Sequence, residues 1–252
     1  AQRLPEGARE AFYRNVRAAA ESGWDFSSRW MRDPQSLASL ETVALAPVDL
    51  NSLLYHAERT IAALRRTRDV GDDDKVAAEF EARAEARRGA ITTHMWDERR
   101  GFFFDLRWAE GTRVVDRPSL AAVAPLYFGV ATPAQGRRVA QRLGREFLKP
   151  GGFTTTLIKS GQQWDAPNGW PPLQWLAIEG VRRYGAAALA DSARARWLAL
   201  NRKVYAATGK LTEKYDVWDL SKRAGGGEYP TQDGFGWTNG VALTLSRQVA
   251  PK

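Results

Sequence analysis

Cysteine is absent from the 252 residues. That excludes disulfides, thiolate metal sites and a cysteine nucleophile. Histidine is almost absent too, since the chain has only two, His56 and His94. A histidine metal cluster and a Ser-His-Asp triad therefore lack their raw material. No metal or other cofactor is expected, and acid–base chemistry falls to carboxylates. No apolar run approaches the ~18 residues that span a bilayer, so no membrane partner is expected. The chain opens Ala1-Gln2-Arg3, with neither an initiator methionine nor a charged-then-apolar leader. The expectation is that processing or truncation removed what preceded it, and the cellular address with it.

Charge of one sign is also never concentrated. The net charge is +8, but arginines alternate with glutamates, as in Glu79-Phe80-Glu81-Ala82-Arg83-Ala84-Glu85-Ala86-Arg87-Arg88. Such runs read as solvated helix faces, and no nucleic-acid partner is expected. No low-complexity linker interrupts the chain, so residues 1–252 read as a single region with length enough for a full core.

Helical spacing dominates. Ala8, Phe12, Val16 and Ala19 share one face. Leu50, Leu53, Leu54, Ala57, Ile61 and Leu64 share another after Pro47, with Asp49 as a candidate cap. Residues 73–96 read as a long charged helix. Thr132-Pro133 opens the next, which runs toward Pro150, and Pro171-Pro172 opens another. Ala190 to Val204 continue the pattern until Gly209, and a last helix covers about 238–249. Only Gly101-Phe102-Phe103-Phe104 through Arg113-Val114-Val115 reads as a β-hairpin, its aromatics sealing a helix layer. The predicted class is all-α, an array of paired helices or an α/α toroid that gathers its loops at one end.

The chemistry lies in the loops. There are ten tryptophans, and three segments concentrate them beside carboxylates and amides. These are Ser22-Gly23-Trp24-Asp25-Phe26-Ser27-Ser28-Arg29-Trp30, Gln162-Gln163-Trp164-Asp165-Ala166-Pro167-Asn168-Gly169-Trp170-Pro171, and Gly225-Gly226-Gly227-Glu228 through Trp237. An indole face suits the C–H face of a sugar ring, and fixed amides and carboxylates suit its hydroxyls. Taken alone, each residue keeps a second reading. Asp25 reads as a general acid in an apolar setting or as a helix cap. Glu213, in Leu211-Thr212-Glu213-Lys214-Tyr215-Asp216, reads as a base kept ionised by Lys214 or as a surface pair. Glu228 reads as a ligand group on a close-approaching glycine loop or as part of a plain loop. Trp164 and Trp170 read as cleft or core, and Trp237 as cleft-facing or as the anchor of the last helix.

Together these segments resemble the trehalases, the inverting α,α-trehalose glucohydrolases. Residues 151–172 look like that family's second signature. Residues 22–30 resemble the segment of its catalytic acid, 213–216 that of its base, and 225–240 its glycine-rich lid. The resemblance implies an (α/α)6 barrel that needs no metal. It assigns Asp25 as the acid and Glu213 as the base. It places Gly23, Trp24, Gln163, Trp164, Asp165, Glu228 and Trp237 in or beneath the substrate pocket, with a disaccharide as substrate. The departure is one of extent. The family's first signature and the arginines of its upstream half have no counterpart here, so the resemblance is to the C-terminal half. One further expectation is that a missing N-terminal half or a homodimer covers exposed helices. Two alternatives to the activity itself stand beside it: a half-barrel that is non-catalytic without its complement, and a hydrolase of a related α-glucoside. The family occupies both periplasm and cytoplasm, with the periplasm favoured here.

Overall fold

The computed structural model describes residues 5–68, 70–227 and 230–248. Paired helices build it. Helix α1 (Glu6–Glu21) packs Phe12, Val16 and Ala19 inward and stops where Gly23 takes a φ of 78°. That left-handed conformation costs glycine little and turns the chain into the Trp24 segment. Helices α2 (Val48–Arg68) and α3 (Asp73–Ala90) lie along each other as a hairpin. Arg65 and Arg68 pin them by converging on buried Asp73 at 3.0 and 2.6 Å, and Arg87 reaches Glu58 at 2.8 Å.

After α3, one wide turn over Ile91–Met95 leads into β2 (Trp96–Asp97), which pairs antiparallel with β3 (Phe102–Phe103). Strand β4 (Leu106–Arg107) pairs both with β5 (Thr112–Arg113) and with β1 (Leu45–Ala46). The hairpin predicted over 101–115 is therefore two small sheets. The chain breaks between them at Asp105, whose carboxylate is held by Arg29 and by the Val48 N–H. The short α4 (Ala124–Tyr127) precedes α5 (Pro133–Arg142), which begins in a full capping box of Thr132 and Gln135. Strands β6 (Leu148–Lys149) and β7 (Gly152–Phe153) pair, and β8 (Asn168–Gly169) pairs with β9 (Tyr215–Asp216). Between β8 and β9 run α6 (Pro171–Arg183) and α7 (Ala187–Thr208), and α8 (Gly236–Arg247) closes the fold. Helix α6 is the hub and packs on α4, α7 and α8. Among the described residues no helix is long and apolar enough to cross a membrane.

The core is aromatic. Trp30, Phe102, Phe147, Phe153, Trp170 and Trp197 are wholly buried, and Phe102 stacks on Phe147 with centroids 5.8 Å apart. The expectation that the Phe102–Phe104 aromatics seal a helix layer matches this placement.

Two helical readings need correction. Asp49 does not cap α2. It lies within the first turn rather than before it, and its carboxylate grips Arg29 while also accepting from the Leu50 N–H at 3.0 Å. The leucine face of α2 is not the buried one. Val48, Ser52, Tyr55, Glu58 and Ala62 point inward, whereas Leu50, Leu53, Leu54, Ile61 and Leu64 face out, Leu64 at 64% exposure. Both faces keep helical spacing, so period alone did not choose between them. An apolar stripe of this kind marks a surface that another element covers.

This orientation is testable by urea unfolding of the chain. Phe102→Ala should cost about 3–5 kcal/mol. Leu64→Ala should stay within about 0.5 kcal/mol. A comparable cost for both would mean that α2 presents its leucines to the core.

Candidate active site

Four loop segments meet beside α6. The first follows α1 and carries Gly23 to Trp30. The second, Thr154 to Trp170, leads into α6. The third, Leu211 to Val217, leaves α7. The fourth, 224–227 with 230–235, leads into α8. Each is tied to the others by hydrogen bonds that the backbone of a loop must find somewhere when it is buried.

Asp165 ties the second segment to the first. It is wholly buried, and its carboxylate accepts five bonds. Ser27 Oγ (2.8 Å), Ser28 Oγ (2.9 Å) and Thr156 Oγ1 (2.9 Å) donate to Oδ1. The Ser28 N–H (2.7 Å) and Ser160 Oγ donate to Oδ2. Burial pushes this carboxyl above its ordinary value, and the donors from Ser160, Ser27 and Ser28 only partly offset it. Asp165 is therefore a clamp between the two segments. The clamp is reinforced where the Trp164 N–H donates to the Phe26 carbonyl at 3.1 Å.

Gln163 and Lys214 tie the first, second and third segments together. The Gln163 amide N–H donates to the Asp25 carbonyl, while its Oε1 accepts from Lys214 Nζ at 3.1 Å. Lys214, at 0% exposure, also donates to Glu213 Oε1. The Gln232 N–H is a second donor to that same oxygen, at 3.1 Å. Among the described residues Oε2 of Glu213 receives no hydrogen bond, although the side chain is only 1% exposed. The β8–β9 pairing, Asn168 opposite Asp216 and Gly169 opposite Tyr215, sets this register.

The glycine run lies on top. The Gly227 N–H donates to the Gly161 carbonyl at 3.0 Å, and Asn168 Nδ2 donates to the Gly225 carbonyl at 2.6 Å. A Cβ at Gly226 would stand 2.6 Å from the Gly161 oxygen, at a φ of 84°. The close approach that the glycines permit is thus to the Gln163 segment itself. Glu228 lies outside the described residues.

The indoles form a column. Trp24 stacks on Trp164 at 5.5 Å, Trp164 lies flat on Trp170 at 3.8 Å, and Trp237 meets Trp170 edge-on at 6.1 Å. Gly23, Trp24, Asp49, Trp164, Leu173 and Trp237 are among the residues lining a cavity of about 280 Å³. A larger space of about 850 Å³ lies against residues 220–227 and 230–233, and neither space is lined by Asp25 or Glu213. The small cavity holds four of the residues that the sequence placed in the pocket, so it is the better candidate for a sugar. Asp25 is half-buried in the segment that carries Gly23 and Trp24, and its peptide bond to Phe26 is cis.

Beneath Trp24 sits a group that the sequence did not disclose. The Arg29 guanidinium is buried between Trp24 (4.5 Å) and Trp30 (4.3 Å). It makes paired bonds to Asp105 at 2.7 and 2.8 Å and to Asp49 at 2.8 and 2.7 Å. Burial pushes Arg29 down, and the attraction of Asp105 and Asp49 more than reverses that, leaving it above its ordinary value. Burial likewise pushes Asp49 up, and Arg29 pulls it below the usual carboxylate range. Arg29 was visible only as a cation between two aromatics, and nothing marked Asp105. Among the described residues no three His, Cys, Asp or Glu side chains gather as a metal site would require.

The sequence profile described as trehalase matches residues 1–249. The periplasmic trehalase of Pseudomonas aeruginosa is 47% identical over 251 residues, covering 100% of this chain and 45% of that protein. Among solved structures, the neutral trehalase of Saccharomyces cerevisiae superposes with a TM-score of 0.79 at 30% identity, covering 98% of this chain and 44% of that one. A mannosylglycerate hydrolase from Thermus thermophilus superposes with a TM-score of 0.59 at 25% identity, covering 84% and 48%. The helical pairs are thus those of an (α/α)6-type toroid. The chain spans about half the length of the curated relatives it matches.

Removing Arg29 strands two carboxylates. Arg29→Met should cost about 3–5 kcal/mol in urea unfolding, as breaking a buried pair does. Arg29→Lys should rescue little, because an ammonium cannot make two paired contacts. The pH sign follows from Asp49, whose folded value lies below the 3.8 of a free aspartate. Its stabilisation is present above that pH and is lost as pH falls through the folded value. The stability gap between the wild type and Asp49→Asn should therefore be full at pH 7 and shrink only in acid below about 3.8. A gap that vanished already near pH 6 would contradict the pairing.

Proposed function

The chain belongs to the trehalase family, and on that premise we propose that it carries the acid and base of an inverting glycoside hydrolase that splits α,α-trehalose into two glucoses. Asp25 donates a proton to the bridging oxygen as the glycosidic C–O bond breaks. Glu213 accepts a proton from a water that attacks the same anomeric carbon from the opposite face. One glucose leaves as the α anomer and the other forms as the β anomer. Inversion of this kind requires roughly 6.5–9.5 Å between the two carboxyl groups, room for one water.

The observation that supports this reading most is the state of Glu213. Its Oε1 is occupied by Lys214 and Gln232 and its Oε2 by no protein donor among the described residues. That leaves one oxygen to hold a water while the other fixes the carboxylate's orientation. Trp24 and Trp164 line the 280 Å³ cavity and give it an apolar wall for the C–H groups of a glucose ring. Gln163 and Asp165, whose polar atoms are engaged by the protein, serve as support for the pocket. Gly23 and Trp237 line it, and the family resemblance assigns Glu228 to the same pocket.

We propose further that activity belongs to the completed barrel. The exposed leucines of α2 and the coverage of less than half of each relative support an upstream half that covers this face and completes the sugar site. A homodimer would cover the same stripe without supplying the missing sugar-binding wall, which makes it the weaker account. The relatives are named as periplasmic trehalases, which supports the periplasm as the compartment. Neither nucleic acid nor membrane enters as a partner.

Glucose release from trehalose should be small for the chain alone and should rise at least ~100-fold when the upstream half is added. Asp25→Asn and Glu213→Gln should each lower kcat by at least ~1,000-fold in the completed protein. Proton NMR of the fresh products should show equal α- and β-glucose before mutarotation. Release of α-glucose alone would mean retention and would overturn the assignment. Turnover of another α-glucoside in preference to trehalose would move the substrate but keep the two roles.

A further inference from the structure

We propose that Lys214 and Gln163 form one positioning unit for the reaction, holding the base carboxylate and the backbone of the acid in a single frame. The inference rests on the roles given above to Asp25 and Glu213. Neither Lys214 nor Gln163 touches a reacting atom in this account. Their part is to set where those atoms stand.

Three features point to it. First, the bridge is continuous. Glu213 Oε1 accepts from Lys214 Nζ, Lys214 Nζ donates to Gln163 Oε1 at 3.1 Å, and Gln163 Nε2 donates to the Asp25 carbonyl. It crosses 51 positions of sequence in one step and 138 in the next. Second, its polarity permits one arrangement. An ammonium can only donate and a main-chain carbonyl can only accept, so the amide of Gln163 cannot be turned over. A displacement of Lys214 is therefore passed to Asp25 through a rigid amide. Third, the ion pair is wholly out of water, with Lys214 at 0% exposure and Glu213 at 1%. A buried pair is a poor device for stability alone, because desolvation offsets the attraction and an apolar pair of similar volume often serves as well. What it supplies is geometry. The ammonium also lies 5.2 Å over the Trp170 ring, which fixes it from the side. Trp170 Nε1 in turn donates to the Gln163 carbonyl at 2.9 Å, so the main-chain end of Gln163 is held by the ring that flanks Lys214 and its side-chain end by Lys214 itself.

The test is a double-mutant cycle in the protein completed by its upstream half. Lys214→Met and Gln163→Met keep the approximate volume and remove the hydrogen bonds. Each should lower kcat by ~100-fold, the size of effect that a misplacement of about 1 Å produces, with KM changed less than about 3-fold. The double variant should lose no more than the worse single, because the two act through one bridge. Unchanged kcat, multiplicative losses, or a loss equal to the unfolded fraction seen by circular dichroism would each overturn the proposal. If the wild-type protein hydrolyses no trehalose, it is the functional reading that fails. The bridge is then judged from crystal structures of the same variants. A Glu213 carboxylate and Asp25 backbone displaced together in both supports it, and either one unmoved in both sinks it.

Discussion

A lysine sealed from water governs this site. Once Lys214 is buried, its ammonium must be met by groups that can accept, and it must be met in full. Glu213 comes from its own segment, but Gln163 comes from the segment before α6 and carries the Asp25 backbone with it. The requirement to pair one charge therefore draws three loops to a point. The two-residue β8–β9 pairing holds the same segments in register a few residues away, so the convergence has both a side-chain and a main-chain component.

The remaining contacts follow the same rule of satisfied polar groups. Asp165 is a second buried charge, and it gathers donors from both sides of the Asp25 segment. Arg29 is a third, flanked by two indoles and answered by two carboxylates. Each of the three would be strongly destabilising in isolation. Paired as they are, they leave the loops few alternative arrangements, and they leave Trp24 and Trp164 as adjacent stacked faces. The glycine run completes the assembly by lying closer to Gly161 than any side chain would permit.

The surface has the opposite character. The long α2–α3 hairpin is stitched by arginine–carboxylate pairs but leaves a row of leucines uncovered. Within an (α/α)6-type toroid, a helix normally has neighbours on more than one side. The four converging loops, by contrast, are supported from beneath by α6 and by the aromatic core. The chain thus holds a well-ordered set of buried loops and an open flank, which fits its coverage of less than half of its relatives.

Much of the helical framework was legible because period and punctuation are local. Thr132-Pro133, Pro171-Pro172 and Gly209 mark real ends, and the spacing within α6 and α7 matches the buried positions, whereas on the α1 face Ala19 is buried, Phe12 and Val16 are half-buried and Ala8 is exposed. The tryptophan-and-carboxylate segments were legible as chemistry for a similar reason, since the residue types needed lie side by side. What local pattern did not contain was choice among neighbours. It showed that α2 has an apolar stripe but not that Val48, Tyr55 and Ala62 would be the ones to turn inward, because burial depends on what packs against the helix. It placed Lys214 beside Glu213 but not against Gln163. Two-residue strands have no period to read, so the β8–β9 pairing was invisible. Asp105 looked like any loop aspartate until Arg29 was folded onto it. The sequence by itself determined the helices, their ends and the kinds of groups available. Tertiary structure alone decided which of those groups meet, because a buried charge is satisfied by partners drawn from anywhere in the chain.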